Sequence, residues 1–192
     1  MCRWGTEMEE IETDCSYVID QNDIIIQIGD SFVGFARKNG WHSDIEPEQV
    51  IGRSVFEFIA GTETQHLYRI LFEAARRGKS IGPIPFRCDS PDKRRFLELR
   101  LEPMSGGYIE VRTKLLRVEE REPVFALEQG KGDSDRLLRM CSMCKKVALA
   151  DGRWLEIEEA LRTMRLFEGE ALPQITHGLC EVCFDEVMSY VA

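Results

Sequence analysis

The C-terminal third of the chain carries two Cys-x-x-Cys pairs, Cys141/Cys144 and Cys180/Cys183. Two thiol pairs at this spacing are typical of the tetrahedral shell of a structural zinc ion. They favour one shared metal over two redox dithiols, because a thioredoxin-type dithiol follows a strand in a βαβ unit and the sequence shows no such unit here. Thiolates also bind iron, but zinc is the metal that we expect.

His177 precedes Cys180 by three residues, and two roles are open for it. It could replace one cysteine and give a Cys3His site. It could instead hydrogen-bond a thiolate or a backbone carbonyl beside the second pair. We favour the second role.

Residues 137–192 are predicted to fold as a small helical module around this metal. An apolar stripe between the pairs, at Trp154, Ile157, Leu161 and Met164, has helical spacing and is expected to pack over the metal site. A last helix is expected to start near Cys183. A module of this size buries little apolar surface, so metal binding should supply much of its folding free energy.

The charge of the chain argues against nucleic acid as a partner. The net charge is −9 at pH 7, and from residue 137 onward six Lys and Arg stand against nine Asp and Glu. A protein that binds duplex DNA replaces phosphate counterions with Lys and Arg. A transcriptional regulator whose zinc module contacts nucleic acid is therefore kept only as an alternative.

Cysteine usage and hydropathy predict the compartment. The chain has seven cysteines, of which Cys2, Cys15 and Cys88 have no counterpart motif. An odd cysteine count, an N-terminus without a signal peptide and the lack of an apolar run of about 18 residues predict a reduced, cytoplasmic protein without a membrane segment.

Residues 1–15 are predicted to form a short amphipathic helix. Trp4, Met8, Ile11 and Cys15 recur at helical spacing among acidic residues. Isolated helices of this length are marginal in water, so the stripe must be covered. Its own domain or a second copy, in a homodimer, could cover it, and both interpretations stay open.

Residues 16–118 mix strand and helix signals and predict an α+β domain. β-Branched residues around an Asp/Asn turn predict a hairpin over residues 17–28. Thr62 has the form of a capping box that opens a helix, and Gly78 ends it. Alternating apolar and charged residues predict an antiparallel hairpin over 97–102 and 109–115, with residues 86–88 as a third strand. Residues 119–136 are polar and contain Pro and Gly, which predicts a linker between two modules.

The order of these elements over residues 16–118 resembles a PAS domain. The resemblance is carried by residues 17–20 (YVID) at the first turn, residues 50–59 (VIGRSVFEFI) ahead of the long helix, and the last strand pair with its Gly-rich turn. It implies a five-stranded antiparallel sheet with flanking helices. It covers about half of the chain.

Residues 137–192 resemble a tail found after sensor or receiver domains in bacterial signalling proteins. The matching segments are 141–146 (CSMCKK), 151–154 (DGRW), 157–159 (IEE) and 176–183 (THGLCEVC). This resemblance fixes several residue types at once, and it implies no enzyme activity.

PAS domains often hold a small molecule between sheet and helices, but two known cofactors do not fit this sequence. Flavin-adduct photoreceptors need a cysteine where residues 52–55 (GRSV) have Val55, and haem sensors need a histidine that residues 76–88 lack. The resemblance therefore argues against a haem and against a flavin adduct. An apolar pocket could be lined by Phe35, Phe56, Phe58, Leu71 and Phe86, although a core role is favoured for them.

The sequence predicts a signal-transduction protein in which a PAS sensory or interaction domain joins a zinc module and acts through protein–protein contacts. No nucleophile–base pair, phosphate loop or paired carboxylates stand out, so we expect no enzyme activity. A thiol-based redox sensor, in which oxidation releases the metal, is a further alternative. The signal, the ligand and the partner protein stay open.

Overall fold

The structure of the chain is a computed structural model, which describes residues 14–32, 34, 47–127, 137–166 and 173–191. The predicted N-terminal helix therefore lies almost wholly outside the described residues. Its last two residues, Asp14 and Cys15, are not helical, because they pair with Lys114 and Thr113 at the start of the first strand.

The first sheet has five strands, and every neighbouring pair is antiparallel. They are β1 (Asp14–Ile19), β2 (Ile25–Ile28), β3 (Ile81–Arg87), β4 (Lys93–Pro103) and β5 (Ile109–Glu120). Their order across the sheet is β2-β1-β5-β4-β3. The prediction of an α+β, PAS-like fold with a five-stranded antiparallel sheet is confirmed.

Alternation along β4 and β5 gives this sheet one apolar face. Leu99 lies opposite Thr113 and Leu101 opposite Val111, and all four side chains are buried. Successive strand residues point to opposite faces, so the charged residues between them, such as Glu98 and Arg112, lie on the other side.

Helices cover the apolar face. They are α1 (Pro47–Val50), a 3-10 turn (Val55–Glu57) and the long α2 (Thr62–Arg76). The predicted capping box at Thr62 is wrong: the N-cap is Gly61, whose φ of 87° turns the chain into the helix, and no side chain caps it. The side-chain amide of Gln65 donates to the carbonyls of Phe56 and Ile59, at 3.0 and 2.9 Å, just before the helix.

The C-terminal residues form a second sheet that the sequence analysis did not predict. Its strands are β6 (Leu137–Cys141), β7 (Val147–Ala148), β8 (Trp154–Leu155) and β9 (Gln174–Gly178), in the order β8-β7-β6-β9. Two helices accompany them, α3 (Ile157–Thr163) and α4 (Glu181–Ser189). In the predicted apolar stripe, Ile157 and Leu161 are buried, whereas Met164 lies beyond the end of α3 and is 38% exposed.

Two buried clusters divide the core, and the cysteines belong to the first. This cluster joins apolar residues of the five-stranded sheet and of α2 with Cys141, Met143, Cys180 and Val187. The second cluster lies among β6, β7 and α3 and includes Val124. β5 reaches Glu120 and Val124 is buried, so residues 119–127 of the predicted linker are part of the fold. Residues 128–136 lie outside the described ranges.

Within these ranges no helix is both long enough and apolar enough to cross a membrane.

Candidate metal centre

The four paired cysteines come together at one point, as their spacing predicts. The Sγ atoms of Cys141, Cys144, Cys180 and Cys183 all lie within 4.8 Å of one another, and none is in a disulfide. Cys144 Sγ and Cys180 Sγ are 3.9 Å apart. A zinc ion with Zn–S bonds of about 2.3 Å holds its sulfurs about 3.8 Å apart. The donor set and its dimensions therefore fit a tetrahedral thiolate-bound metal.

The first pair lies on a tight loop between β6 and β7. The Lys145 amide donates to the Cys141 carbonyl at 3.0 Å, and the Cys141 amide donates to the Lys146 carbonyl at 2.8 Å. Lys145 has a φ of 61°, which reverses the chain directly after Cys144. This reversal aims both sulfurs of the pair to the same side.

The second pair lies where β9 passes into α4. β6 and β9 are parallel, with Cys141 opposite Gly178, so the loop after β9 starts beside the first pair. Cys180 is the N-cap of α4, and its Sγ accepts from the Cys183 amide at 3.5 Å. The Cys180 amide points to Cys141 Sγ at the same distance. The positive end of α4 and these amides stabilise negative charge on sulfur.

The thiols share protons unequally. Hydrogen bonds from the thiols of Cys144 and then Cys183 lower the pKa of Cys141 far below its usual value. The hydrogen bond to Cys141 raises the pKa of Cys144 to about 12. Hydrogen bonds to Cys141 and Cys144 raise the pKa of Cys183 as well. A bound cation displaces such protons, because only thiolates ligate it.

His177 is in β9, opposite Met140 of β6. Burial, together with the nearby charge of Lys145, lowers the pKa of His177 and favours the neutral ring. In the described part of the chain the grouped metal donors are the four cysteines, and His177 is not one of them. Its hydrogen bond to a ligand stays a prediction.

A cleft of about 510 Å³ opens onto the cysteines. Its walls include Cys144, Cys180 and Cys183, with Trp154 and Val182 beside them. Cys144 and Cys183 are only half-buried, whereas Cys180 is buried, so solvent reaches the cluster on the side of Cys144 and Cys183.

Among the described residues, those predicted to line an apolar pocket do not surround one common cavity. Leu71 is in the core, and Phe56 packs 6.0 Å from Phe72, between ring centroids. Phe86 is partly buried against the same core cluster. Phe58 is 46% exposed and lies under the guanidinium of Arg53, and Phe35 is outside the described residues. A ligand pocket stays a prediction.

Sequence reasoning missed the residues of α2 that contact the cysteine loops. The Glu63 carboxylate accepts from Arg139 and from the Leu179 amide, and Thr64 shares a hydrogen bond with Ser142. These partners are 76 to 116 residues apart in sequence. No local pattern in the sequence signals contacts of this separation.

No protein-family model matches the chain, and no curated protein is similar to it. Among the solved structures that are similar to part of the chain, two match about half of it. One is a domain of an HTR-like protein from Haloarcula marismortui ATCC 43049, with 12% identity over 54% of this chain and 98% of that one, and a TM-score of 0.36. The other is a sensory box sensor histidine kinase from Vibrio cholerae, with 10% identity over 56% of this chain and 84% of that one, and a TM-score of 0.36.

Proposed function

We propose that this chain is a signal-transduction protein in which a PAS sensory or interaction domain is joined to a structural zinc centre and acts through protein–protein contacts. The observation that carries the proposal is the position of the thiol cluster: Cys141 and Cys180 are buried in the same core cluster as the PAS-like sheet and α2. The metal centre therefore has the contacts needed to influence the fold of the sensory domain.

Zinc is the metal proposed for this centre. Four thiolates at tetrahedral separations suit a d10 ion that imposes no other geometry. Cys141 and Cys180 are buried, and all four cysteines take part in the set, so no ligand position is left for a reacting water. The role proposed for the metal is structural, and no enzyme activity is proposed.

The signalling role rests on the antiparallel five-stranded sheet in the order β2-β1-β5-β4-β3 and on the resemblance of residues 16–118 to PAS sensor domains. We propose a cytoplasmic protein that passes its signal to a separate partner protein. Dimerisation through the N-terminal segment stays a prediction, because residues 1–13 lie outside the described ranges.

Metal analysis of the full chain, with an absorption spectrum, tests the proposal. We expect one equivalent of zinc per chain and no haem or flavin bands. Cys141→Ser and Cys180→Ser should lose the zinc, whereas Cys88→Ser, which changes a cysteine outside the cluster, should keep it. A folded, metal-free chain with disulfides among the four cysteines would contradict the proposal.

A thiol redox sensor is the second candidate, and the open cleft beside Cys144, Cys180 and Cys183 favours it. Hydrogen peroxide would take two electrons from two thiolates, which form one disulfide while the peroxide is reduced to water, and zinc would be released. Zinc release on titration with peroxide, followed with a coloured chelator and reversed by a thiol reductant, would support this function. Zinc that stays bound until the chain unfolds would exclude it.

A further inference from the structure

The first turn of α2 contacts both cysteine loops at once. The Glu63 carboxylate accepts from Arg139 Nη2 at 2.7 Å on each oxygen, and its Oε2 accepts from the Leu179 amide at 3.0 Å. Arg139 is in β6, two residues before Cys141, and Leu179 directly precedes Cys180. The Glu63 side chain of the PAS-like half thus contacts the segments that lead into both cysteine pairs.

The next residue of α2 makes a second contact. Thr64 is buried, and its hydroxyl lies 2.6 Å from the hydroxyl of Ser142, between Cys141 and Cys144. The Ser142 amide also donates to the Gly178 carbonyl at 2.8 Å, which links the two cysteine loops behind this contact.

Two glycines allow α2 to come this close. A Cβ on Gly61 would lie 2.8 Å from the His177 carbonyl oxygen. A Cβ on Gly178 would lie 2.5 Å from Arg139 Nε and 3.0 Å from Glu63 Oε2. Gly178 therefore leaves the space in which the ion pair of Glu63 and Arg139 forms.

We propose that Glu63 and Thr64 are positioning residues of the metal centre, and that α2 thereby sets how readily the centre releases its metal. The inference rests on the proposed zinc site and deepens it by assigning its regulation to one helix. Groups that hydrogen-bond metal ligands directly commonly change metal affinity about 10- to 100-fold when they are removed. Glu63 and Thr64 bond residues next to the ligands, so we expect effects at the lower end of this range.

The same contacts couple the metal to the sensory domain in both directions. α2 buries Leu67, Leu71 and Phe72 in the core of the PAS-like half, so a ligand or partner that moves α2 also moves Glu63 and Thr64. Coupling between two binding events is reciprocal. Zinc binding therefore favours the docked position of α2, and displacement of α2 weakens zinc binding.

Glu63 allows positioning to be separated from stability. Its side chain and that of Arg139 are each 49% exposed, and exposed ion pairs contribute little to the free energy of unfolding. Replacement of Glu63 should therefore change the metal centre without changing the stability of the fold to the same extent.

The test is zinc release from the full chain into excess chelator at neutral pH, measured beside the urea midpoint of the zinc-loaded protein. We expect Glu63→Ala to release zinc about tenfold faster. Its urea midpoint should be lower than that of the wild type by no more than about 0.7 M, because tenfold weaker zinc binding by itself removes about 1.4 kcal/mol from the stability of the loaded protein, at an m-value of about 2 kcal/mol/M. Glu63→Gln should be intermediate, because its amide oxygen still accepts from Leu179. Glu73→Ala, at an exposed acid further along α2, is the matched control and should release zinc at the wild-type rate.

Gly178→Ala and Thr64→Val extend the test without touching Glu63. Both should speed release, and the cobalt-substituted Glu63→Ala protein should show shifted thiolate-to-metal absorption bands. Equal rates in Glu63→Ala, Glu73→Ala and the wild type would overturn the inference. So would faster release with a fall in urea midpoint well beyond about 0.7 M, which would show general destabilisation of the fold. A wild-type chain that holds no metal would instead refute the proposed function itself.

Discussion

Met143→Ala tests whether the cysteine loop is part of the PAS-like core or belongs to a separate module. Met143 lies between the first two cysteines, it is 4% exposed, and it belongs to the core cluster that contains α2 and the five-stranded sheet. Its carbonyl also accepts from the Arg87 amide of β3 at 2.7 Å. The substitution removes core packing and leaves all four thiols in place.

The expected magnitude follows from the burial of Met143. Truncation of a buried Met to Ala costs about 2–5 kcal/mol, from lost transfer free energy and from the cavity left behind. At an m-value of about 2 kcal/mol/M in urea, this loss lowers the unfolding midpoint by about 1–2.5 M. Met104→Ala is the matched control, because Met104 is 46% exposed and its truncation should change the midpoint little.

Hydrogen exchange measured by mass spectrometry shows which strands lose stability in Met143→Ala. If the core is shared, Met143→Ala should reduce protection in β4 and β5 as well as in β6 and β9, by similar free energies, in protein confirmed to hold zinc. Reduced protection confined to residues 137–191, with β4 and β5 unchanged, would refute the reasoning and show that the two halves unfold independently.

Three further predictions address charge and pH. Glu158→Gln should lower the free energy of unfolding by about 1.5–3 kcal/mol, because the Glu158 carboxylate accepts from Arg94 and Arg121 at 2.7 and 3.3 Å, whereas Glu159→Gln at an exposed site should lower it little. Burial raises the pKa of Glu158, but hydrogen bonds from its own amide and from Arg94 outweigh burial and lower it. In urea titrations the difference in stability from the wild type should therefore shrink as pH falls below about 4.5, and a pH-independent difference would contradict this. Burial raises the pKa of Tyr68 to about 12 and that of Tyr17 well above its usual value, so tyrosinate absorbance at about pH 11 should be incomplete until the chain unfolds, and stability should fall as pH rises above about 10, where the unfolded chain loses these protons first. The chain should not bind DNA more tightly than about 1 mM at physiological salt, and micromolar, salt-sensitive binding in a fluorescence anisotropy assay would instead implicate Lys145, Lys146, Arg153, Arg162 and Arg165.

The elements that the sequence predicts well are those with a strong local pattern. The alternation of apolar and charged residues over 97–115 predicts β4 and β5, because one face of this sheet is buried and the other faces solvent. The sequence predicts a capping box at the start of α2, but the N-cap residue is Gly61, which has a positive φ and no side chain that could cap the helix. The second sheet was missed because β7 and β8 have two residues each and β6 pairs with β9 in parallel across a long connection.

The cysteine set was predictable because metal-ligand spacing is local, whereas its surroundings were not. The x-x spacing within each pair identifies the four cysteines in the sequence, and in the structure their Sγ atoms lie within 4.8 Å of one another. Thr64 and Ser142 are 78 residues apart, and each is an ordinary helix or loop residue by type. Only the folded position of α2 shows that they touch.

Both edges of the PAS-like sheet are bonded to other parts of the chain, one to the C-terminal half and one to residues 52–53. At the β3 edge, the Arg87 amide is bonded to Met143, and Pro83 and Pro85 have no amide hydrogen to offer. At the β2 edge, the Ile25 amide and carbonyl are bonded to Arg53 and Gly52.

A partner strand could join either edge only by displacing these bonds, since edge pairing needs free backbone groups. The charged face of the sheet is open among the residues that the structure describes. Around Glu98, Arg100, Glu110 and Arg112 it forms an open cleft of about 520 Å³, and Leu116 on β5 is 55% exposed. The face of the sheet is therefore the surface that we propose for protein contacts, since Met143 of the cysteine-rich half is bonded to its β3 edge.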